Sequence, residues 1–201
     1  MPAPRTALVI LAGPAGVGKS TLCDRLVAEV PGFERVITAT TRAPRPNEVD
    51  GRDYHFLTEA EFDARLAAGD FLEWARIHQK QRSGVPKSSV LQRLDHTNLV
   101  LNIDVQGVRN VRRAAAQDPR LAGRLVTIFV APDSLDVLRA RMLGRGPLPA
   151  EELARRLQSA ELEMAERHTY DYIIHSQTKE QDFRALLEFW EQAKAKLAAR
   201  G

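Results

Sequence analysis

An α/β fold, with a parallel sheet covered by helices on both faces, is what this sequence predicts, and three observations predict it. Short apolar runs (Ala7–Ala12, Asn98–Asp104, Arg124–Ala131) alternate with helical patterns along most of the chain. Two of them, at Asn98 and Arg124, read as strands buried on both faces. The first run passes directly into Gly13-Pro-Ala-Gly-Val-Gly-Lys-Ser-Thr21, and a helical pattern (Leu22, Leu26, Val27, Val30) leaves it. The length of 201 residues allows one good-sized core with modest inserted lobes.

The elements follow in order. Pro31-Gly32 ends the first helix, and Arg35–Thr38 is a short strand candidate. Thr40 to Asp53 is polar; Pro44 and Pro46 keep it extended, and Asn47 and Asp50-Gly51 form turns. Tyr54–Leu57 alternates as a strand. Thr58-Glu-Ala-Glu61 is a capping box opening a helix that ends near Gly69. Phe71–Ile77 reads as a strand, Gln79–Pro86 as a loop, and a helix follows to about Leu94. After the Asn98 strand, Val105–Ala115 is helical. Beyond the Arg124 strand, Asp133 caps a helix over Ser134–Leu143. Gly144–Pro149 is a break, Glu151–Glu166 a charged helix, Asp171–Ile174 a last strand, and Asp182–Ala199 an amphipathic terminal helix. The clustered short strands between about 36 and 90 imply a small inserted lobe.

Composition narrows the class. The 44% hydrophobic and 27% charged content is that of a soluble globular protein. No apolar run approaches the ~20 residues of a membrane span. The six residues before the first strand are too short for a signal peptide, so a cytoplasmic location is expected. Cys23 is the single cysteine, which excludes an intrachain disulfide, and the five histidines lack metal-ligand spacing. Net charge is +3, but the arginines are dispersed and no aromatic-basic stripe is visible, so nucleic acid is not an expected partner.

Gly13, Gly18, Lys19 and Ser20 fit G-x-x-x-x-G-K-[ST] between a strand and a helix, the context of a phosphate-binding loop. Glycines let backbone N–H groups approach phosphate oxygens, and the helix presents its positive end to the anion. The segment Gly13, Ala15, Gly16, Val17, Gly18, Lys19, Ser20, Thr21 is the expected nucleotide-phosphate site, the motif alone leaving open which nucleotide binds; the resemblance described below makes it the ATP site. Lys19 supplies a point charge, and Ser20 can ligate Mg²⁺.

Arg42 and Arg45 stand three apart on a stiffened loop, with Tyr54 nine residues on. They are either surface arginines or a grip for one phosphate dianion. Glu73 is an acid on an otherwise apolar strand, and Asp104 ends the Asn98 strand, where a ligand crevice opens. Two such acceptors can take the N1–H and N2–H₂ of guanine, a pattern adenine lacks. Glu73 could equally be a salt-bridged acid, and Asp104 could hold a magnesium-bound water. Arg141 and Arg145 lie one helical turn apart, with Arg156 on the next helix; they form a solvated face or a lid that closes on the triphosphate.

Thr40-Thr-Arg42, Arg45, Glu48, Gly51, Tyr54 and Phe56-Leu57 resemble the signature of guanylate kinases. So do Phe71-Leu-Glu73-Trp-Ala75, Ile103-Asp104 with Gln106-Gly107, and Arg141, Arg145-Gly146 and Arg156. The resemblance spans nearly the whole chain. It implies a P-loop NTPase-type α/β core (1–35, 96–138 and 168–201), a small mixed α/β GMP-binding lobe (36–95) and a helical lid (139–167) within one domain. It implies phosphoryl transfer from MgATP to GMP, and to dGMP, by a monomer or homodimer. It assigns Thr38, Arg42, Arg45, Tyr54, Glu73 and Asp104 to GMP, and Lys19, Arg42, Arg141, Arg145 and Arg156 to catalysis.

Four features depart from the family pattern. The segment 79–86 lacks the family's tyrosine, leaving Arg82 or Lys80 as substitute phosphate ligands. Asn102 stands where the family carries an acid, so the metal's waters fall to Asn102 or Asp104. Pro147-Leu-Pro149 stiffens the lid turn, and Ser176 replaces an asparagine near adenine. Asn47 occupies a usual glycine position, which asparagine tolerates in a left-handed backbone. Two other functions remain open at this point: a kinase of the same fold acting on another phosphorylated small molecule, such as a ribose phosphate, and a non-catalytic interaction module.

Overall fold

The computed structural model describes residues 6–77, 81–144, 146 and 148–199. In order, the elements are β1 (Leu8–Ala12), α1 (Lys19–Glu29), β2 (Phe33–Arg35), β3 (Ala39–Thr40), β4 (His55–Phe56), α2 (Glu59–Ala67), β5 (Phe71–Ile77), β6 (Gln81–Pro86) and α3 (Ser88–Leu91). Then come β7 (Asn98–Asn102), α4 (Val105–Ala115), β8 (Leu125–Pro132), α5 (Leu135–Leu143), α6 (Ala150–Ala165), a 3₁₀ turn (Arg167–Thr169), β9 (Tyr172–Ser176) and α7 (Lys179–Ala198).

Five strands form one parallel sheet in the order β2-β7-β1-β8-β9. Its central strand alternates between two cores, because successive side chains leave a strand on opposite faces. Val9 and Leu11 pack on one face with Leu26, Phe183 and Trp190. Leu8 and Ile10 pack on the other with Leu94, Val108 and Phe129. Each fully buried Leu or Ile contributes about 1.5–3 kcal/mol, so covering both faces is what holds the sheet. Among the described residues no helix is long and apolar enough to cross a membrane.

Four strands form a second, mixed sheet in the order β4-β3-β6-β5. Only β3 and β4 run parallel; β6 runs antiparallel to both β3 and β5. Its small core is Ala39, Phe62 and Phe71, the two rings stacked at 4.5 Å. Thr58 closes the expected capping box with Glu61 at the start of α2.

Several boundaries differ from the sequence expectation. Gln81–Pro86 is a strand, not a loop; Gly84 and Pro86 hide it locally, and pairing on both sides makes it. The strand expected at Arg35–Thr38 sits at Phe33–Arg35, where β7 offers a partner. Ser134, not Asp133, caps α5, through a bond from the Val137 N–H to its hydroxyl. The terminal helix starts at Lys179, capped by a Thr178/Gln181 box, so Asp182 lies inside it. Asp104 does not end β7 but caps α4.

Candidate active site

At the carboxyl end of β1 the chain enters the glycine-rich turn. Gly13 has φ +134, and a Cβ there would lie 2.3 Å from the Val130 carbonyl oxygen, so only glycine lets the loop turn this close to β8. Gly18, at φ +111, is the N-cap of α1. Lys19 Nζ donates to the carbonyls of Gly13 at 2.6 Å and Pro14 at 3.0 Å, which holds the ammonium over the loop. Asn102 Nδ2, at the end of β7, donates to Ser20 Oγ at 3.0 Å. Val17 offers only its backbone, since its side chain is buried in the core.

One cavity of about 420 Å³ brings this loop together with the second sheet. Gly13, Ala15, Gly16, Gly18, Lys19, Ser20 and Thr21 line one end. Thr38, Arg42, Arg45, Tyr54, Glu73, Asn102 and Asp104 line the rest, and Arg156 reaches in from α6. Residues from the loop, the second sheet, the end of β7 and α6 therefore share one space that holds both cationic groups and acids.

Arg42 makes a two-pronged pair with Glu48, at 3.0 and 2.9 Å. Glu48 also accepts from the Arg45 N–H at 2.7 Å, so one carboxylate sets both arginines. The Arg42 guanidinium beside it holds the Glu48 carboxyl below the usual range. Arg42 lies 5.3 Å from the Tyr54 ring centroid. Asn47 takes φ +72, as its tolerance of the left-handed region allows.

Glu73 is buried, and that burial pushes its carboxyl up to about 7; the Asn110 amide opposes the shift and the Asp104 charge adds to it. A register shift in β5 between Phe71 and Glu73 re-aims this side chain. Gly84 makes the close pairing possible, because a Cβ there would meet the Phe71 ring at 2.8 Å and the Glu73 carbonyl at 3.1 Å. Asp104 caps α4 by accepting from the Gly107 N–H at 2.7 Å. Glu73 is thus no salt-bridged surface acid: its side chain is enclosed and its partner is neutral.

Arg82 is not a phosphate ligand. Strand alternation sends Gln81 and Ser83 into the cavity and Arg82 to the opposite face. There its side chain, 7% exposed, pairs with Asp63 and Glu59 and lies over the Phe62 ring. Lys80 lies outside the described residues, as do Arg145 and Pro147.

Arg141 does not line the main cavity. It lines a second cavity of about 360 Å³ with Gly16, Val17, Gly18, Thr21, Gln177 and Asp182. It donates to Ser176 Oγ at 2.9 Å and to the Gln177 carbonyl at 3.0 Å. Ser176 donates onward to Asp182, which also accepts from the Gln177 N–H, both at 2.7 Å. Sequence reading missed Asp182 because it took the residue for a helix start. It also missed Ser159 and Glu163, although their spacing from Arg156 (three and seven residues) puts all three on one stripe of α6. Glu163 accepts from Ser159 Oγ at 3.2 Å, while its Oε2 is shut from solvent without a hydrogen-bond partner. Burial raises the Glu163 carboxyl, and Lys19 opposes the rise.

A glycine-rich P-loop with its lysine, opening on the same cavity as a pair of arginines, a tyrosine and a buried acid, is the layout of a P-loop nucleoside monophosphate kinase. The family model described as guanylate kinase matches residues 5–193. The chain belongs to the guanylate kinase family. It is 46% identical to the guanylate kinase of Nocardia farcinica over 169 residues, covering 83% of this chain and 84% of that one. It is 42% identical to the guanylate kinase of Bifidobacterium longum over 184 residues, 91% of each. A solved guanylate kinase from Anaplasma phagocytophilum superposes with a TM-score of 0.74 at 23% identity, over 95% of this chain and 87% of that one, a likeness of fold.

Proposed function

We propose that the chain transfers the γ-phosphoryl group of ATP to GMP, giving ADP and GDP. The observation that carries this reading is the single cavity in which Lys19 and the glycine-rich loop face Glu73, Arg42, Arg45 and Tyr54. The donor phosphates lie on the loop N–H groups and the start of α1. The acceptor phosphate lies between Arg42, Arg45 and Tyr54, and its guanine edge meets Glu73 and Asp104, with Thr38 beside it. The attacking atom is already an anionic phosphate oxygen, so no general base is required. Rate comes from alignment and charge neutralisation by Lys19, Arg42 and Arg156. Arg156 is held by Glu152 at 2.7 Å, so it must exchange that partner for phosphate as segment 139–167 closes. Arg141 secures the loop from its outer side and, with Gln177 and Asp182, bounds the space for the donor base.

The residues present fit a magnesium ion carried by the nucleotide. Among the described residues no group of His, Cys, Asp and Glu could hold a metal alone. Mg²⁺ is usually bound through substrate phosphates, waters and one or two protein oxygens. Ser20 Oγ is such an oxygen; Asn102 and Asp104 line the same cavity as acceptors for its waters. When bound, the ion neutralises charge on the β and γ oxygens.

A coupled assay of ADP release with GMP, AMP, UMP and ribose 5-phosphate as acceptors tests the reading. GMP should be the preferred acceptor by at least about a hundredfold, since buried acceptors left facing adenine's N1 lose their bonds. Turnover with ribose phosphate and not with GMP would overturn it.

A further inference from the structure

The buried acid has a neutral keeper. Asn110, on α4, donates from Nδ2 to Glu73 Oε2 at 3.4 Å and to the Trp74 carbonyl at 3.3 Å. A side-chain amide nitrogen has two protons, and these two contacts use both, which ties the amide to the strand that carries Glu73. We propose that Asn110 is a positioning residue for the acceptor base: it fixes the Glu73 carboxylate in one orientation, turned into the cavity, without neutralising it. This rests on the reading of Glu73 as the guanine acceptor.

The choice of an amide has a physical reason. An Arg or Lys in this place would hold the acid more strongly but would also satisfy its charge. The weak positive edge of guanine would then compete with a full cation. An amide donates a bond and leaves the negative charge for the ligand. Among the described residues no cation takes that role. On β6, Ser83 lines the same cavity and Arg82 is turned away onto Asp63 and Glu59. On α4, Arg109 is paired with Glu166, and Asp104 only repels. Asn110 is the group that favours the ionised form of Glu73 against burial and Asp104.

Two variants test this, Asn110→Ala and the isosteric Asn110→Asp, with Glu73→Gln alongside. The readouts are the Kd for GMP between pH 6 and 8, the Kd for ATP, and far-UV circular dichroism. Asn110→Ala should weaken GMP about tenfold at pH 7.5, the loss of one bond to a charged group. The midpoint of its GMP–pH profile should move to higher pH, and further in Asn110→Asp, which swaps the donor for a like charge. ATP affinity and the dichroism spectrum should stay those of the parent. If Glu73→Gln weakens GMP while both Asn110 variants keep the parent affinity and midpoint, the role of Asn110 falls alone. If Glu73→Gln binds GMP as well as the parent, the base-reading assignment falls and takes this proposal with it. Equal loss of ATP and GMP in both Asn110 variants would show a merely structural residue and overturn the proposal.

Discussion

GMP binding should weaken as pH falls through 7, and the size of the effect follows from the burial of one carboxyl. Guanine N1–H and N2–H₂ are both donors, so if Glu73 reads them, as proposed, it does so best ionised; protonation turns one of its two oxygens into a donor facing a donor. With its pKa at about 7, Glu73 is about nine-tenths ionised at pH 8 and about one-tenth at pH 6. If only the ionised form binds, the apparent Kd for GMP rises about tenfold across that interval. The GMP phosphate, with a second pKa near 6, adds about twofold at most. Isothermal titration of the enzyme with GMP at fixed ionic strength measures the slope, and Glu73→Gln isolates the phosphate share. The variant should keep only the twofold change. A variant as steep as the parent, or a parent no steeper than twofold, would refute the assignment of the slope to Glu73.

The same shift bears on stability. A carboxyl raised from its usual 4.5 to about 7 keeps its proton in the folded chain where the unfolded chain has lost it. Its contribution is therefore intact below pH 4.5 and is lost as pH rises through 7, a change of about 3 kcal/mol in all. Without GMP, Glu73→Gln should melt above the parent at pH 8, with the gap closing towards pH 5, as read by scanning calorimetry. Glu48→Ala should raise the KM for GMP about tenfold and leave that for ATP unchanged, since Glu48 sets both Arg42 and Arg45; steady-state kinetics with each substrate varied checks this. Asp182→Ala leaves the Ser176 hydroxyl and the Gln177 N–H without their acceptor, so the KM for ATP should rise about tenfold with GMP unaffected.

What was legible in the sequence follows from how local each constraint is. The phosphate loop needs glycines at fixed spacing within one turn, so Gly13, Gly18 and Lys19 disclose it unaided. Glu73 stands out because an acid on an apolar strand is costly unless used. Asn47 was read rightly because its backbone angle depends on its own side chain. The misreadings share a cause: the deciding partner lies elsewhere in the chain. β6 looks like a loop until β3 and β5 flank it, and with it the face of Arg82 was lost. Arg82 then pairs with Asp63 and Glu59 on α2, contacts that no motif encodes. Asn110 and Asp182 likewise act through bonds to other elements. Arg141 carries the family spacing, yet its side chain turns to β9 because Ser176 offers it an oxygen there.

The most direct test of the account is a crystal structure of the enzyme with ADP and GMP bound together. The guanine edge should lie within hydrogen-bond distance of Glu73 and Asp104, with the GMP phosphate between Arg42, Arg45 and Tyr54 and aimed at the loop of Lys19. A purine bound away from the two carboxylates, or a phosphate away from the two arginines, would contradict it.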